Sequence, residues 1–333
     1  MVYIRVDMNV QIATGHVMRC LSIADALRGL GESVTFILAD EQAVSLLKQR
    51  GYDAIVLQTQ WNNMNEELPV LCQVIENEQI EKLFIDSYQV TPEYLARLSQ
   101  SVKTIYIDDL NLFDYPVHAV ICYANYWKKF GYTMESKKYY LGTQYVPLKQ
   151  AFWKCEEKHI SKKADRLLIL TGGSDPYNVS ELILDSIDRN EFQGIDVICG
   201  IYNTNYSKLI RKYEEYENIK LHQAVNNVEE FMQNTDIAIS AGGTTLYELC
   251  ACGTPTISYV FADNQLDNVR QFEEDGLIDY AGDVRKDNVT ANINAYLNEY
   301  KNNAQLRKDR SARMQKVVDG KGAMRLAEML KKF

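Results

Sequence analysis

Along the chain, short apolar runs alternate with longer amphipathic stretches. VYIRV (2–6) is followed by helical spacing over 16–29, and VTFIL (34–38) by a helix from about 41 to 50. AIVL (54–57), KLFID (82–86), TIYID (104–108) and AVIC (119–122) continue the strand-like series, with helical segments near 65–77 and 92–100. Asp, Gly or Asn closes many of these runs. That alternation predicts a parallel sheet joined by crossover helices. Between about 144 and 165 the period is lost: QYVPLKQAFWKCEEKHISKKAD is polar, charged and interrupted by a proline, and reads as an interdomain connection. Alternation restarts with RLLIL (166–170), DVICG (196–200), IKLH (219–222), DIAIS (236–240) and TISYV (256–260). Helical spacing follows at 178–188, 205–216, 227–234, 244–252 and 264–275, and 287–333 is helical and rich in Lys, Asn and Arg. The expected architecture is α/β, with two Rossmann-like domains over 1–150 and 165–333 whose parallel sheets face a cleft, the second carrying a helical tail. Ligands of open α/β sheets bind beyond the carboxyl ends of the strands, so the loops there are the places to look for chemistry.

Composition fits this frame: 333 residues, 46% hydrophobic and 24% charged, a globular balance. No apolar run approaches the ~20 residues of a membrane span, and MVYIRVDMNV has neither the basic flank nor the apolar core of a signal peptide. A cytoplasmic protein is expected. The seven cysteines are scattered, with Cys250-Ala-Cys252 the only close pair, which is not a metal spacing. A net charge of −9 speaks against a nucleic-acid partner. It leaves an anionic small ligand open, because backbone donors bind phosphate inside acidic proteins.

Two stretches carry the strongest chemical signal. In DIAISAGGTTLYELC (236–250) a strand runs into Gly242-Gly243, and Thr244-Thr245 opens a helix. Glycines admit close backbone approach, and the N–H groups of a first helical turn with the threonine hydroxyls form a pyrophosphate cradle. Glu248, one turn on, is placed to reach a ribose diol. The competing reading is a glycine turn with a threonine cap. LLILTGGSDPYNVS (167–180) repeats the design with Gly172, Gly173, Ser174 and Asp175, and two such turns in one domain point to a nucleoside diphosphate. Neither matches the P-loop or dinucleotide fingerprint.

The order of motifs narrows the reading. IRVDMNVQIATGHVMRC (4–20), LFIDSYQV (83–90), YIDD (106–109), LGTQYVPLKQAF (141–152), LTGGSD (170–175), AGGTTLYELCACGTPTISYVFADNQ (241–265) and DGKGAMR (319–325) resemble one family over nearly the whole chain. It is the UDP-2,4-diacetamido-2,4,6-trideoxy-β-L-altropyranose hydrolases of pseudaminic acid biosynthesis, of GT-B fold, related to spore-coat polysaccharide proteins. The resemblance implies that the Gly-Gly-Thr-Thr turn holds the diphosphate, Glu248 the ribose, and Asn264 and Gln265 the sugar. It also implies that His16 is a general base for water attacking the anomeric carbon with inversion, UDP leaving and no metal or other cofactor taking part. This sequence departs from the family at Ala13, usually Gly, and at Lys149, usually Arg.

Imidazole titrates near neutrality, which suits such a base; the alternative is an ordinary histidine at a helix start. Arg19, three residues on, shares its helical face and meets a phosphate, a sugar oxygen or only solvent. Asp7, at a strand end, binds the sugar, orients His16 or caps a loop. Asp86 and Tyr88 end another strand, and Asn125 follows the AVIC strand, as further sugar-side candidates. Asp108 and Asp109 are adjacent and point apart along a strand, so paired acid–base work from them is not expected. The leading function is a UDP-sugar hydrolase. An inverting UDP-sugar glycosyltransferase of surface or spore-coat polysaccharide biosynthesis, with an open acceptor groove, is the alternative, and a sugar-nucleotide-binding protein without turnover is the third. The sequence specifies neither the sugar nor an oligomeric state.

Overall fold

The structure, a computed structural model, describes residues 1–9, 11–12, 14–132 and 138–333; the departure at Ala13 lies outside the described residues. The chain divides into two compact units, Met1–Gln150 with Lys321–Phe333, and Ala151–Gly320. The first unit runs β1 (Val2–Val6), α1 (Gly15–Gly29), β2 (Val34–Leu38), α2 (Val44–Gln49), β3 (Asp53–Val56), α3 (Met64–Asn77), β4 (Lys82–Asp86), α4 (Pro92–Ser99), β5 (Lys103–Ile107), β6 (Ala119–Cys122) and β7 (Lys138–Leu141). The second runs β8 (Arg166–Leu170), α5 (Val179–Ser186), β9 (Gly194–Cys199), α6 (Tyr206–Tyr213), β10 (Ile219–Gln223), α7 (Val228–Asn234), β11 (Ile237–Ala241), α8 (Thr245–Cys252), β12 (Thr256–Val260), α9 (Leu266–Glu274), β13 (Asp279–Asp283), α10 (Val289–Asn302) and α11 (Ala304–Val317). The last helix, α12 (Gly322–Lys332), belongs to the first unit.

Both sheets are parallel throughout, as the strand–helix alternation requires. Their strand orders are β3-β2-β1-β4-β5-β6-β7 and β10-β9-β8-β11-β12-β13. In each, the chain starts in the middle, builds to one side and then crosses to the other. The switch point falls between β1 and β4 in the first sheet and between β8 and β11 in the second. Strands with both faces covered read as continuous apolar runs: β1, β2, β11 and β12 are buried at every position.

Three features depart from the expected pattern. The edge strands β7 (KYYL) and β13 (DYAGD) were not foreseen, because lysine, aspartate and glycine in a short run weaken the strand signal. Pairing with β6 and β12 holds them in place. The expected 165–333 domain loses its last helix. Helix α1 buries Val17, Cys20, Leu21, Ile23, Ala24 and Leu27, and it packs against both the sheet and α12. Alpha-helix α12 in turn buries Ala323, Leu326, Ala327 and Leu330, and Lys331 Nζ donates to the Leu30 carbonyl at 2.9 Å. Gly322 opens α12 so close to the preceding chain that a Cβ would lie 2.1 Å from the Val146 oxygen. Finally, the polar stretch before β8 is not free. Arg307, fully buried, donates to the carbonyls of Ser161 (2.6 Å) and Lys162 (3.2 Å), and Lys158 Nζ donates to Met232 and Gln233.

A buried ionic cluster ties the first sheet to its helices. Arg5, on β1 with no exposed surface, makes a two-pronged bond to Glu67 of α3 (2.8 and 2.6 Å) and a third bond to Asp7 (2.6 Å). Tyr94 of α4 donates to Glu67 at 2.7 Å, and Asp7 accepts the Ala39 N–H just past β2 at 2.8 Å. Burial pushes the Asp7 carboxyl up, against the pull of Arg5. Removing one partner leaves a charge buried alone, which costs far more than a surface pair returns. Glu67→Ala is expected to lower stability by ~3–5 kcal/mol, read as a fall in the urea midpoint at unchanged slope. A loss below about 1 kcal/mol would show that Asp7 alone suffices for Arg5.

Candidate functional site

At the switch point of the first sheet, the end of β1 lies beside the end of β4, with Val6 paired to Asp86. Helix α1 begins in the loop after β1 and carries His16, Arg19 and Cys20 at the i, i+3, i+4 spacing of a single face. All three converge on Asp86. His16 Nδ1 is 2.5 Å from Asp86 Oδ1, Arg19 donates Nε and Nη2 to the two carboxylate oxygens at 2.6 Å each, and Cys20 Sγ lies 3.4 Å from Oδ2. Asp86 is 1% exposed and His16 9%. Burial alone would raise the Asp86 carboxyl, but the charges of Arg19 and then His16 hold it well below the usual carboxylate range.

An ionised carboxylate only accepts, so Nδ1 of His16 must be the donor in this pair. The neutral ring then keeps its lone pair on Nε2. Arg19 Nη2, 3.3 Å from Nδ1, is a second donor sharing Asp86 Oδ1, not a partner of the ring. The edge of His16 meets the Tyr88 ring at a centroid distance of 4.5 Å and 84°, which fixes the imidazole plane.

Arg19 is spent inside this cluster: its Nη1 donates to Asp109 Oδ2 (3.0 Å) and to the Tyr123 hydroxyl (2.7 Å), and Tyr88 also donates to Asp109 at 2.9 Å. Asp108 turns the other way, to the hydroxyls of Tyr115 and Tyr132. The alternation that set these two aspartates apart also put Asp109 at the end of β5, beside β4, so its place near Asp86 was readable from the sheet order. The structure therefore brings His16, Arg19, Asp86 and Tyr88 together and adds Asp109, Tyr123 and Cys20. It does not bring in Asp7, whose two oxygens are held by Arg5 and Ala39. Asn125 is half-buried beyond the end of β6.

At the switch point of the second sheet, the loops after β8 and β11 are neighbours. The Gly242 N–H continues the ladder to Tyr259 at 2.8 Å, and Asn268 of α9 donates to the carbonyls of Gly242 and Gly243, both at 3.2 Å. A Cβ on Gly242 would lie 2.2 Å from Val269, whereas one on Gly243 would meet nothing within 4 Å. Helix α9 thus presses on one side of the turn and leaves the other open. Thr244 is the N-cap of α8 and makes no side-chain cap bond. In the first turn the Leu246 and Tyr247 N–H groups donate to the carbonyls of Gly243 (3.2 Å) and Thr244 (3.0 Å), which leaves the N–H groups of Thr244 and Thr245 as the donors at the helix start, the usual setting for an anion.

Thr245 and Glu248 are half-buried in α8, and Gln265 accepts the Phe261 N–H at 3.0 Å beside this turn, while Asn264 is exposed. Gly172, Gly173 and Ser174 are exposed after β8. Asp175, grouped with them in the sequence, is 2% exposed and faces inward: its oxygens accept the N–H groups of Val179 (2.7 Å) and Ser180 (3.0 Å) and the Ser180 hydroxyl. It caps α5, and its carboxylate has no room for a ligand. Asn268 was missed because one asparagine within an amphipathic helix gives no signal.

Two Rossmann-type parallel sheets with these switch-point loops define the GT-B fold. Residues 167–324 match the family model of the Glycosyltransferase family 28 C-terminal domain. The chain is 26% identical over 278 residues to the uncharacterised protein MJ1062 of Methanocaldococcus jannaschii, covering 78% of this chain and 55% of that one. It is 24% identical over 206 residues to the spore coat polysaccharide biosynthesis protein SpsG of Bacillus subtilis, covering 60% of each. The matches thus span 55 to 60% of the length of these relatives. Among solved structures, MurG of Acinetobacter baumannii superposes with a TM-score of 0.75 at 11% identity, covering 100% of this chain and 99% of its own. Alr3699/HepE of Anabaena, in complex with UDP, gives 0.61 at 14% over 100% of both.

The depressed Asp86 carboxyl sets an acid limit. A group whose folded pKa lies below its unfolded value stabilises the fold above the unfolded pKa, ~3.9 for aspartate, and that contribution is lost as pH falls toward the folded one. Asp86→Asn is expected to cost ~3–5 kcal/mol near neutrality, with the gap to wild type beginning to narrow below about pH 5 and still narrowing below about pH 3, toward the depressed folded value. Urea titrations across that range measure it; a gap that does not change would mean that Asp86 is not held ionised.

Proposed function

We propose that the protein is a nucleotide-sugar hydrolase that releases UDP from a UDP-2,4-diacetamido-2,4,6-trideoxyhexose by water attack at the anomeric carbon with inversion. The observation that carries the reading is the bond from His16 Nδ1 to the buried Asp86 carboxylate, which leaves Nε2 as the ring's only proton acceptor. In this reading Nε2 takes a proton from water as its oxygen bonds to the anomeric carbon. The carbon–oxygen bond to the diphosphate breaks, and UDP leaves with the electron pair. Asp86 balances the charge that forms on the ring, and Arg19, by keeping Asp86 ionised, is a positioning residue with it. The N–H groups at the start of α8, with Thr244 and Thr245, offset charge growing on the diphosphate. Glu248 is assigned to the ribose and Asn264 and Gln265 to the sugar. The motif order and the likeness to a spore coat polysaccharide protein support the substrate class.

One observation favours the glycosyltransferase alternative besides the family of the second unit. The turn after Asp109, pinned by bonds from the Leu110 and Asn111 N–H groups to Asp108, holds Leu110 and Leu112 exposed (44% and 64%). That is the apolar surface on which a lipid-borne acceptor would rest.

Free UDP release from a panel of UDP-2,4-diacetamido-trideoxyhexoses, with no acceptor, separates the two. Rapid release is expected from wild type. His16→Ala should lose on the order of 10²–10⁴-fold in kcat while still binding UDP. Asp86→Asn should lower kcat with little change in KM. Release that appears only after an acceptor is added would overturn hydrolysis in favour of transfer.

A further inference from the structure

The stretch before β8 and the far end of the cradle helix meet at a pair of thiols. Cys155 Sγ lies 3.8 Å from Cys252 Sγ; Cys252 ends α8 and is buried, whereas Cys155 is half-buried. The setting around them is fixed on several sides. Gln233 Nε2 donates to Cys155 Sγ at 3.2 Å, and Lys158 Nζ is held at 2.9 and 2.7 Å by the carbonyls of Met232 and Gln233. Gln315 of α11 accepts the Lys158 N–H at 3.2 Å and donates to the carbonyls of Glu156 (2.8 Å) and Ala251 (3.2 Å). The same side chain therefore grips the chain on both sides of the sulfur pair.

We propose that Cys155 and Cys252 form a thiol–disulfide exchange site whose substrate is a small disulfide. The two sulfurs have different roles. The bond from the Cys252 thiol, with Gln233 and the Lys158 ammonium after it, brings the Cys155 thiol down to about 7, while that same bond and burial push Cys252 up. Cys155 is the accessible thiolate and attacks first. Its sulfur bonds to one sulfur of the small disulfide, whose S–S bond breaks and releases one thiolate. Cys252 then attacks the Cys155 sulfur, loses its proton, and displaces the second half as thiolate. The two protein thiols are oxidised, the small disulfide is reduced to two thiols, and the two protons end on those. The product bond fastens the 151–165 stretch to the C-terminal end of α8, whose first turn follows Gly242 and Gly243.

Oxidised glutathione, added to the full chain and followed by intact mass and peptide mapping, tests this. Wild type is expected to lose two hydrogens and yield a linked peptide pair containing Cys155 and Cys252, reversed by dithiothreitol. Cys252→Ala should stop at a stable glutathione adduct on Cys155, and Cys155→Ser should give neither product at these positions. Both variants can be checked for folding by their circular dichroism. A wild-type protein that accumulates the Cys155 adduct without closing the bond, or that stays reduced while other cysteines react, would overturn the proposal.

Discussion

Every strand in both sheets runs parallel to its neighbours, and that constraint decides where the chemistry sits. A parallel strand can be regained only through a crossover, so each sheet grows outward from its first strand. β1 and β8 end up central, and the loops that leave them have no neighbouring crossover to cover them on the switch side. In the first unit that gap is filled by the start of α1 and the end of β4, which is why residues 70 positions apart, His16 and Asp86, meet. In the second unit the same gap receives the glycine turn after β11. The fold thus makes the same kind of opening twice and furnishes each differently, one with a titratable ring and one with backbone donors.

The first opening is built in two electrostatic tiers. Arg5, Glu67 and Asp7 are buried beneath it and fasten β1 to α3 and to the end of β2. Half-buried Arg19 of α1, buried Asp86 at the end of β4 and half-buried Asp109 just past β5 fasten α1 to β4 and β5. Each arginine is consumed by carboxylates, so neither is a loose cation waiting for a ligand. What the upper tier offers outward is the geometry of one imidazole. Under the proposed reading, a proton acceptor placed by charges that are already satisfied needs no reorganisation when a new charge forms on it.

Much of this was legible in the sequence. Buried parallel strands write themselves as runs such as VTFIL and TISYV, and the glycine turns that follow them are equally visible. Asp86 stood out as a carboxylate closing an apolar run, His16 as a histidine where a glycine loop opens a helix, and Arg19 by its place three residues on. Residues whose roles depend on what lies across the sheet were not readable. Asp7 and Asp175 look as available as Asp86 from their positions at strand ends. Asp7 is taken by an arginine two residues earlier and Asp175 by the helix that follows it, and only three-dimensional hydrogen bonding tells those fates apart. Asn268 and Tyr123 act through partners far along the chain. The edge strands β7 and β13 escaped because a neighbour's open hydrogen-bonding groups, more than their own side chains, make them strands.

The return of α12 to the first unit has a consequence for how the protein is made. Synthesis from the N-terminus delivers β1 to β7 and their helices early, but the surface of α1 that α12 covers must wait until the whole second unit has left the ribosome. During that interval the first sheet exists with an apolar groove along its first helix. Helix α12 acts as a latch that closes only once the second unit has been made, so a nascent chain stalled or cut anywhere in the second unit keeps that groove open to chaperones and proteases.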